Sequence, residues 1–368
     1  MMRRLLFFLF LLFSLPFPAE GGGPGRDSLF VTVLQDPPVL SSRRQIERLI
    51  DFSKQAQIDI LFVQIYRSNE AWFASTIADS SPYEASLELV GEDPLRLLIS
   101  KAHAAGIRVY AWLNCLSLGN NKNARLLKKY GPDILTRNLK DKAKIEDYKI
   151  DSQYFLEPGD LRVRRELSGI VGEILRAYPE LDGILFDYVR YPDPQPDYGH
   201  TQMNRERFQQ ATGRRVVEKN DAAWKDWKRR QVTEVLEGLT AAAHALRPQI
   251  RVAATGCAPC VRALEEAFQD WPSWLDQGLV DFVVFMSYSS DPEEFAGFIA
   301  GAKKETQDLG KTMIAVPAYK LTGSAPTFGR QMRLCREADS GGCVVFHYGS
   351  LLEDPALARF LTDEDTGS

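Results

Sequence analysis

The segment LDGILFDYVRYP, residues 181–192, places a carboxylate directly after an apolar run. Residues 184–186 are typical of a buried strand, and Asp187 follows them at once. Removing a carboxylate from water is costly unless another group pairs with it or a reaction uses it. Two interpretations follow. Apolar walls could make Asp187 a general acid or nucleophile in a cleft, or Asp187 could form a structural ion pair with Arg190 or another base.

Other strand ends supply aromatic rings, amides and charged groups. Carbohydrate sites combine flat aromatic faces for stacking with donors and acceptors for hydroxyl groups. We therefore expect several of these side chains to line one sugar cleft with Asp187. The candidates for substrate binding are Tyr66, Arg67, Trp72, Trp112, Asn114, Tyr188, Tyr288 and His347.

Eight apolar segments rich in β-branched residues alternate with helical patterns along the chain. Such near-continuous apolar runs are typical of parallel strands that are buried on both faces. Eight strand–helix units predict a single (β/α)8 TIM barrel over residues 23–368. A doubly wound open sheet is the alternative, but no glycine-rich phosphate loop follows the first strand. The predicted strands are 29–34, 58–66, 107–114, 182–189, 250–256, 280–288, 312–319 and 341–348.

Two connections are long, namely 116–158 after the third strand and 191–221 after the fourth. Both leave the C-terminal ends of strands, which is the face where TIM barrels carry their sites. Long loops in a compact domain are usually functional. Asp187 is therefore expected at the rim of the cleft, whereas Asp182, at the opposite end of the same strand, is expected to serve stability.

Charge and histidine placement narrow the function classes. The chain has 45 Lys and Arg against 49 Asp and Glu, and this net charge of −4 argues against a nucleic-acid-binding protein. His103 and His244 fall in predicted helices and His200 in a loop, so no histidine cluster is expected. Neither a metal site nor a cofactor is predicted.

The five cysteines do not point to the chemistry of the site. An odd number leaves at least one thiol unpaired within the chain. The motif CAPC at 257–260 could form a small disulfide or two plain thiols. A redox pair is a remote alternative, because the surrounding sequence is not thioredoxin-like.

Five segments are similar to those of a known family, namely DPLRLLISKAHAAGIRVYAWLN, LEPGDLRVRRELSGIVGEIL, LDGILFDYVRYP, WKDWKRRQV and DWPSWLDQGLVDFVVFMSY. They resemble the glycosyl-hydrolase-like family 10 barrels. The resemblance runs from about Leu29 to Tyr348. It implies an exported or lipid-anchored bacterial polysaccharide hydrolase in which Asp187 is the leading catalytic carboxylate and Arg190 and Tyr191 line the site.

Three positions depart from the pattern of that family. Tyr66 stands where the family tends to have arginine, and Glu70 and Glu157 stand where aspartate is commoner. Chitinase-type barrels differ more, because their catalytic glutamate would fall on Val189 and their sixth-strand aspartate on Ser289. Asp187 therefore cannot take the part of the chitinase glutamate at that position.

Glycoside hydrolysis ordinarily needs a pair of carboxyl groups. We expect Glu70 to be the partner of Asp187, with Glu157 as the second choice. The resulting hypothesis is an exported glycoside hydrolase that cleaves O-glycosidic bonds of a bacterial polysaccharide, such as peptidoglycan glycan or an amino-sugar exopolymer. The alternative is a non-catalytic carbohydrate-binding barrel that kept the cleft but lost one carboxylate.

Residues 1–22 predict a cleaved export signal and a short linker. Arg3 and Arg4 precede an apolar run that ends near residue 15, and small residues follow near Ala19. The run is short for a membrane span, so we expect a secreted or periplasmic protein without stable membrane insertion.

N-terminal sequencing of the exported protein should find cleavage near residues 19–22. Recovery of Met1 from a membrane-embedded form would instead support the alternative, a retained anchor.

Overall fold

Eight parallel strands close into a barrel in the computed structural model, which describes residues 27–140, 142, 144–193, 197–214 and 221–362. Each strand pairs with its neighbours in chain order, and the first strand also pairs with the last. The predicted (β/α)8 barrel is confirmed. The expected export signal lies outside the described residues. The strands are β1 Ser28–Val31, β2 Ile60–Arg67, β3 Arg108–Asn114, β4 Gly183–Asp187, β5 Arg251–Cys257, β6 Phe282–Met286, β7 Thr312–Val316 and β8 Cys343–Val345.

Helices connect successive strands. Several begin at an aspartate whose side chain accepts a hydrogen bond from a backbone N–H of the first turn, as Asp93, Asp160 and Asp291 do. The α-helices are α1 Arg43–Gln55, α2 Ser81–Val90, α3 Pro94–Ala104, α4 Arg125–Tyr130, α5 Leu161–Ala177, α6 Gln202–Thr212, α7 Ala222–Leu246, α8 Cys260–Glu265, α9 Trp271–Asp276, α10 Pro292–Glu305, α11 Ala325–Arg336, α12 Tyr348–Glu353 and α13 Pro355–Thr362. None of the helices in the described ranges is long and apolar enough to cross a membrane.

Strand alternation divides the core into two layers. Phe62, Trp112 and Leu185 belong to the cluster inside the barrel. Ile184 and Phe186 belong to the larger cluster between strands and helices. Since side chains alternate along a strand, the residue after Phe186 returns to the inside of the barrel at its C-terminal end. This is the position of Asp187.

The two long loops contain structure of their own. Within the first loop, the short strands Ser117–Gly119 and Tyr154–Phe155 pair antiparallel. The second loop includes α6 and joins the first through the N–H of His200, which donates to the carbonyl oxygen of Arg137 at 2.9 Å. The loops therefore form one packed layer on the C-terminal end of the barrel.

The cysteines adopt one of the arrangements left open by the sequence. Cys335 and Cys343 form a disulfide. Cys257 and Cys260 are free thiols, and so is Cys115. The CAPC motif is therefore a pair of plain thiols in this structure.

Gly183 makes room for a large ring inside the barrel. A Cβ added there would lie 2.1 Å from Cε1 of Tyr110, whose ring packs against Phe62 and Phe282 at centroid distances of 5.5 and 5.7 Å.

We predict that Gly183→Ala lowers the free energy of unfolding by about 1–3 kcal/mol, the usual effect of overpacking. Urea denaturation measures this change. The control is Gly297→Ala in α10, where an added Cβ meets nothing within 4 Å. It should leave stability unchanged or raise it by up to about 1 kcal/mol. Equal losses in both variants would contradict the packing argument.

Candidate active site

A cleft of about 890 Å³ opens where the C-terminal ends of the strands meet. Its lining includes Asp187. The structure also brings together seven of the predicted substrate-binding residues on this surface, which are Arg67, Trp112, Asn114, Tyr188, Arg190, Tyr288 and His347.

Three other predicted binding residues lie outside the lining of this cleft. Tyr66 is 0% exposed and packs between strands and helices. The pairing of β2 with β3 shifts register between Gln64 and Tyr66, so simple alternation fails at this strand end. Trp72 lines a separate, small cavity, and Tyr191 is buried and hydrogen-bonded to Glu157.

Asp187 accepts three hydrogen bonds from groups on neighbouring strands and on its own turn. The indole Nε1 of Trp112 donates to Oδ2 at 3.0 Å, and the hydroxyl of Thr255 donates to Oδ1 at 2.6 Å. The backbone N–H of Tyr188 donates to Oδ1 at 2.7 Å. The residue is only 5% exposed. Because each partner donates, the arrangement stabilises an ionised carboxylate at the floor of the cleft.

Arg190 has a different ion-pair partner from the one that the structural interpretation of Asp187 suggested. Its Nη1 lies 2.6 Å from Oδ1 of Asp193, and the same carboxylate also pairs with Arg262. The guanidinium lies over the ring of Tyr188 at 4.8 Å. Arg190 is therefore a fixed part of the cleft wall, held through Asp193.

The turn after Asp187 is backbone-strained. Tyr188 has a φ of 55°, in the left-handed region that bulky residues rarely adopt. Such a conformation costs of the order of 1–3 kcal/mol and persists only where surrounding contacts fix it. Here it accompanies the hydrogen bond that the Tyr188 N–H donates to the Asp187 carboxylate.

Asn114 lies beside Asp187, since the two residues are register partners in β3 and β4. Its side-chain oxygen accepts from Nε2 of Gln64 at 3.1 Å. The oxygen of Gln64 in turn accepts from the hydroxyl of Thr32 and the N–H of Val33. A backbone N–H can only donate, so this chain fixes both amides and leaves the NH2 of Asn114 as the group available to a ligand.

The two expected partner carboxylates both lie outside the cleft lining. Glu70 sits on the short strand Glu70–Ala71, opposite Arg67. Burial, followed by the nearby Asp79, raises the pKa of Glu70. Glu157 is 0% exposed, and burial likewise raises its pKa. Neither carboxylate shares the cleft surface with Asp187.

Other acidic residues line the cleft instead. Within the described ranges, the lining carboxylates besides Asp187 are those of Asp36, Glu294 and Glu353. Glu294 lies in the first turn of α10 and accepts a hydrogen bond from the hydroxyl of Ser289. Sequence reasoning missed these groups. The signal at Glu294 was weak, because acidic residues are common in the first turn of any helix.

Tyr319 and Phe346, which were not predicted, line the cleft beside the predicted Tyr288. The rings of Tyr288, Tyr319 and Phe346 contact one another, with centroid distances between 5.1 and 5.7 Å. Cys257 also lines the cleft, and burial raises its thiol pKa to about 11, so the thiol is neutral at physiological pH. The cleft thus offers an anionic floor, aromatic faces and fixed polar donors. No group of His, Cys, Asp and Glu side chains that could hold a metal ion occurs in the described part of the chain.

Solved glycosidase barrels share this architecture. The β-galactosidase of Marinomonas ef1 superposes with a TM-score of 0.60 and is 12% identical, covering 88% of this chain and 54% of that chain. The catalytic domain of the β-amylase from Paenibacillus polymyxa gives 0.56 at 12% identity, covering 92% and 98%. The protein thus has the TIM-barrel fold that these glycosidases use.

Sequence comparison defines the family. The family model described as glycosyl hydrolase-like 10 matches residues 29–326. The chain therefore belongs to this family, and the resemblance noted from its motifs is confirmed. Glycosyl hydrolase DigH of Escherichia coli strain K12 is 22% identical over 337 residues, which cover 81% of this chain and 74% of the relative.

The hydroxyl of Thr255 provides a test of the charge on Asp187. Thr255→Val removes one donor from a buried carboxylate, and hydrogen bonds to charged groups contribute about 1.5–3 kcal/mol. We predict a loss of unfolding free energy in that range, measured by urea denaturation. The control is Thr240→Val, whose hydroxyl donates to the neutral carbonyl oxygen of Leu279. It should lose only about 0.5–1.5 kcal/mol. A smaller loss at Thr255 than at Thr240 would argue against an ionised Asp187.

Proposed function

We propose that the protein is an exported glycoside hydrolase that cleaves O-glycosidic bonds of a bacterial polysaccharide. The observation that carries this proposal is the buried carboxylate of Asp187, fixed by three donors at the floor of an aromatic cleft. Membership of a glycosyl hydrolase-like family and the glycosidase fold support the same class of reaction.

Asp187 is suited to act as the nucleophile or as an electrostatic stabiliser of the transition state. Its three donors hold the ionised form, which can attack the anomeric carbon or stabilise the positive charge of an oxocarbenium-like transition state. An ionised carboxylate cannot protonate the departing oxygen. A second carboxyl group must therefore supply that proton.

Glu294 is our candidate for this general acid, in place of Glu70 and Glu157. It follows β6, two strands from β4, and a strand spacing of about 4.8 Å gives roughly 10 Å between these strands. Catalytic carboxyl pairs are separated by about 5–10 Å. Asp36 and Glu353 follow β1 and β8, which lie three and four strands from β4. The hydroxyl of Ser289 also orients Glu294.

The proposed substrate is peptidoglycan glycan or an amino-sugar exopolymer. An exported bacterial hydrolase meets such polymers outside the cytoplasm, and the N-terminal sequence has the pattern of an export signal. The wall of Tyr288, Tyr319 and Phe346 offers apolar faces for stacking, and the amide of Asn114 offers a donor for hydroxyl or acetamido oxygens.

Asp187→Asn tests the catalytic assignment. The change keeps the shape of the side chain but removes its charge, so turnover on a glycan that the parent protein cleaves should fall by at least about 10²-fold, the usual effect of losing one electrostatic contact to the transition state. Affinity for the same oligosaccharide, measured by calorimetry, should change far less. Glu294→Gln should give a comparable loss of turnover, whereas Asp36→Asn and Glu353→Gln should not.

Asp182→Asn, at the residue that precedes β4, is the matched control. Asp182 accepts from the backbone N–H of Val109 at 2.7 Å and lies 2.8 Å from His103 at the opposite end of the barrel. Its replacement should affect stability but not turnover per folded molecule. If Asp187→Asn were destabilised yet fully active, the catalytic assignment would be wrong. A parent protein that binds glycans without cleaving any would indicate the carbohydrate-binding alternative.

A further inference from the structure

A second pocket, of about 610 Å³, lies among the long loops that follow β3 and β4. We propose that this pocket binds a carboxylate or phosphate group of an acidic glycan while another part of the same polymer occupies the cleft. The link to the cleft rests on the proposed hydrolase function. The cations that line the pocket are Arg137, Lys140, Lys142, Arg162 and Arg205.

Two of these cations are held in fixed orientations. Arg162 donates through Nε and Nη2 to the carboxylate of Asp160 at 3.1 and 2.7 Å, and its guanidinium lies over the ring of Tyr130. Arg137 donates to the hydroxyl of Tyr148 at 3.1 Å and stacks on the same ring. Planar guanidinium groups that are already oriented lose little entropy when they bind an oxyanion, and their geometry matches carboxylate and phosphate.

The charge balance of the pocket is the reverse of that of the chain. Five cations face three carboxylates, namely Asp133 and Glu206 in the lining and Asp160 beside Arg162, in a protein whose net charge is −4. Glu206 already accepts from Gln202 at 2.8 Å, and Asp133 lies 3.4 Å from Arg137. His200 adds no charge at neutral pH, because burial lowers its pKa to about 4. The pocket therefore keeps an excess of positive charge.

Backbone groups of α6 add to the positive electrostatic potential of the pocket. Gln202 and Met203, the first two residues of α6, line the pocket. N–H groups in the first turn of a helix have no acceptor within that helix, and the N-terminal end of a helix favours anions. Arginine side chains and helix-terminal N–H groups together form a surface suited to an oxyanion rather than to a neutral sugar.

The pocket and the cleft lie at the same end of the barrel and have no lining residue in common. They are connected through buried contacts. The side-chain nitrogen of Asn204, in α6, donates to Glu157 and to the hydroxyl of Tyr191, which follows the cleft residue Arg190. The wall between the pocket and the cleft is therefore a hydrogen-bonded part of the fold.

Binding to the Asp187→Asn variant of the full chain tests the proposal without cleavage. The probes are an oligogalacturonate, a neutral chito-oligosaccharide of the same length, and inorganic phosphate. In this background, Lys140→Gln with Arg205→Gln should weaken oligogalacturonate binding roughly three- to tenfold, as expected for the loss of two exposed ionic contacts. Binding of the chito-oligosaccharide should not change. The control pair, Lys303→Gln with Lys304→Gln, removes two exposed cations from the end of α10 and should leave both affinities unchanged.

The proposal would be overturned if the double variant at Lys140 and Arg205 bound oligogalacturonate as tightly as the control double variant at Lys303 and Lys304. Binding of phosphate without binding of oligogalacturonate would overturn the assignment to a glycan. If the parent protein cleaves glycans but the pocket pair binds normally, this inference alone fails. If binding of oligogalacturonate depends on the pocket but the parent protein cleaves no glycan, the hydrolase proposal alone fails.

Discussion

The hydrogen bonds that fix the Asp187 carboxylate depend on the register of three adjacent barrel strands. Trp112 donates from β3 and Thr255 from β5, while Asp187 ends β4 between them. A slip of one residue in either pairing would turn the donor to the opposite face of the sheet and leave a buried charge with fewer partners. The closed barrel prevents such slips, since each strand is paired on both sides. The strand register that closes the barrel therefore also fixes the geometry of the site.

This dependence explains which parts of the site could be predicted from sequence. Long apolar runs identify parallel strands, and the last residues of a strand point to the C-terminal face of the barrel. Trp112 and Asn114 follow this rule, and Tyr288, two residues beyond the end of β6, lines the cleft with them. Tyr66 does not, because the register shift after Gln64 turns it into the outer layer. A bulge of this kind leaves no clear mark in the order of apolar and polar residues.

Acidic groups on loops and helix ends were harder to place, because no strand alternation fixes their direction. Glu157 is held instead by Tyr191 and Asn204, and so joins the two long loops below the cleft surface. Lys228 belongs to the same buried region, and burial lowers its pKa to about 7. Glu294 has the sequence context of an ordinary helix start, and only the folded chain shows that it reaches the cleft.

The strained turn at Tyr188 connects Asp187 to the two long loops. Its left-handed backbone accompanies the N–H that contacts Asp187, and its ring lies under the guanidinium of Arg190. The chain then passes directly to Tyr191, which hydrogen-bonds Glu157 and Asn204. Residues 188–191 thus support both the Asp187 carboxylate and the loop layer that contains the cationic pocket. The N–H that Tyr188 donates to Asp187 and the hydroxyl by which Tyr191 joins the two loops are three residues apart, so the backbone of this one turn must satisfy the cleft floor and the loop layer together.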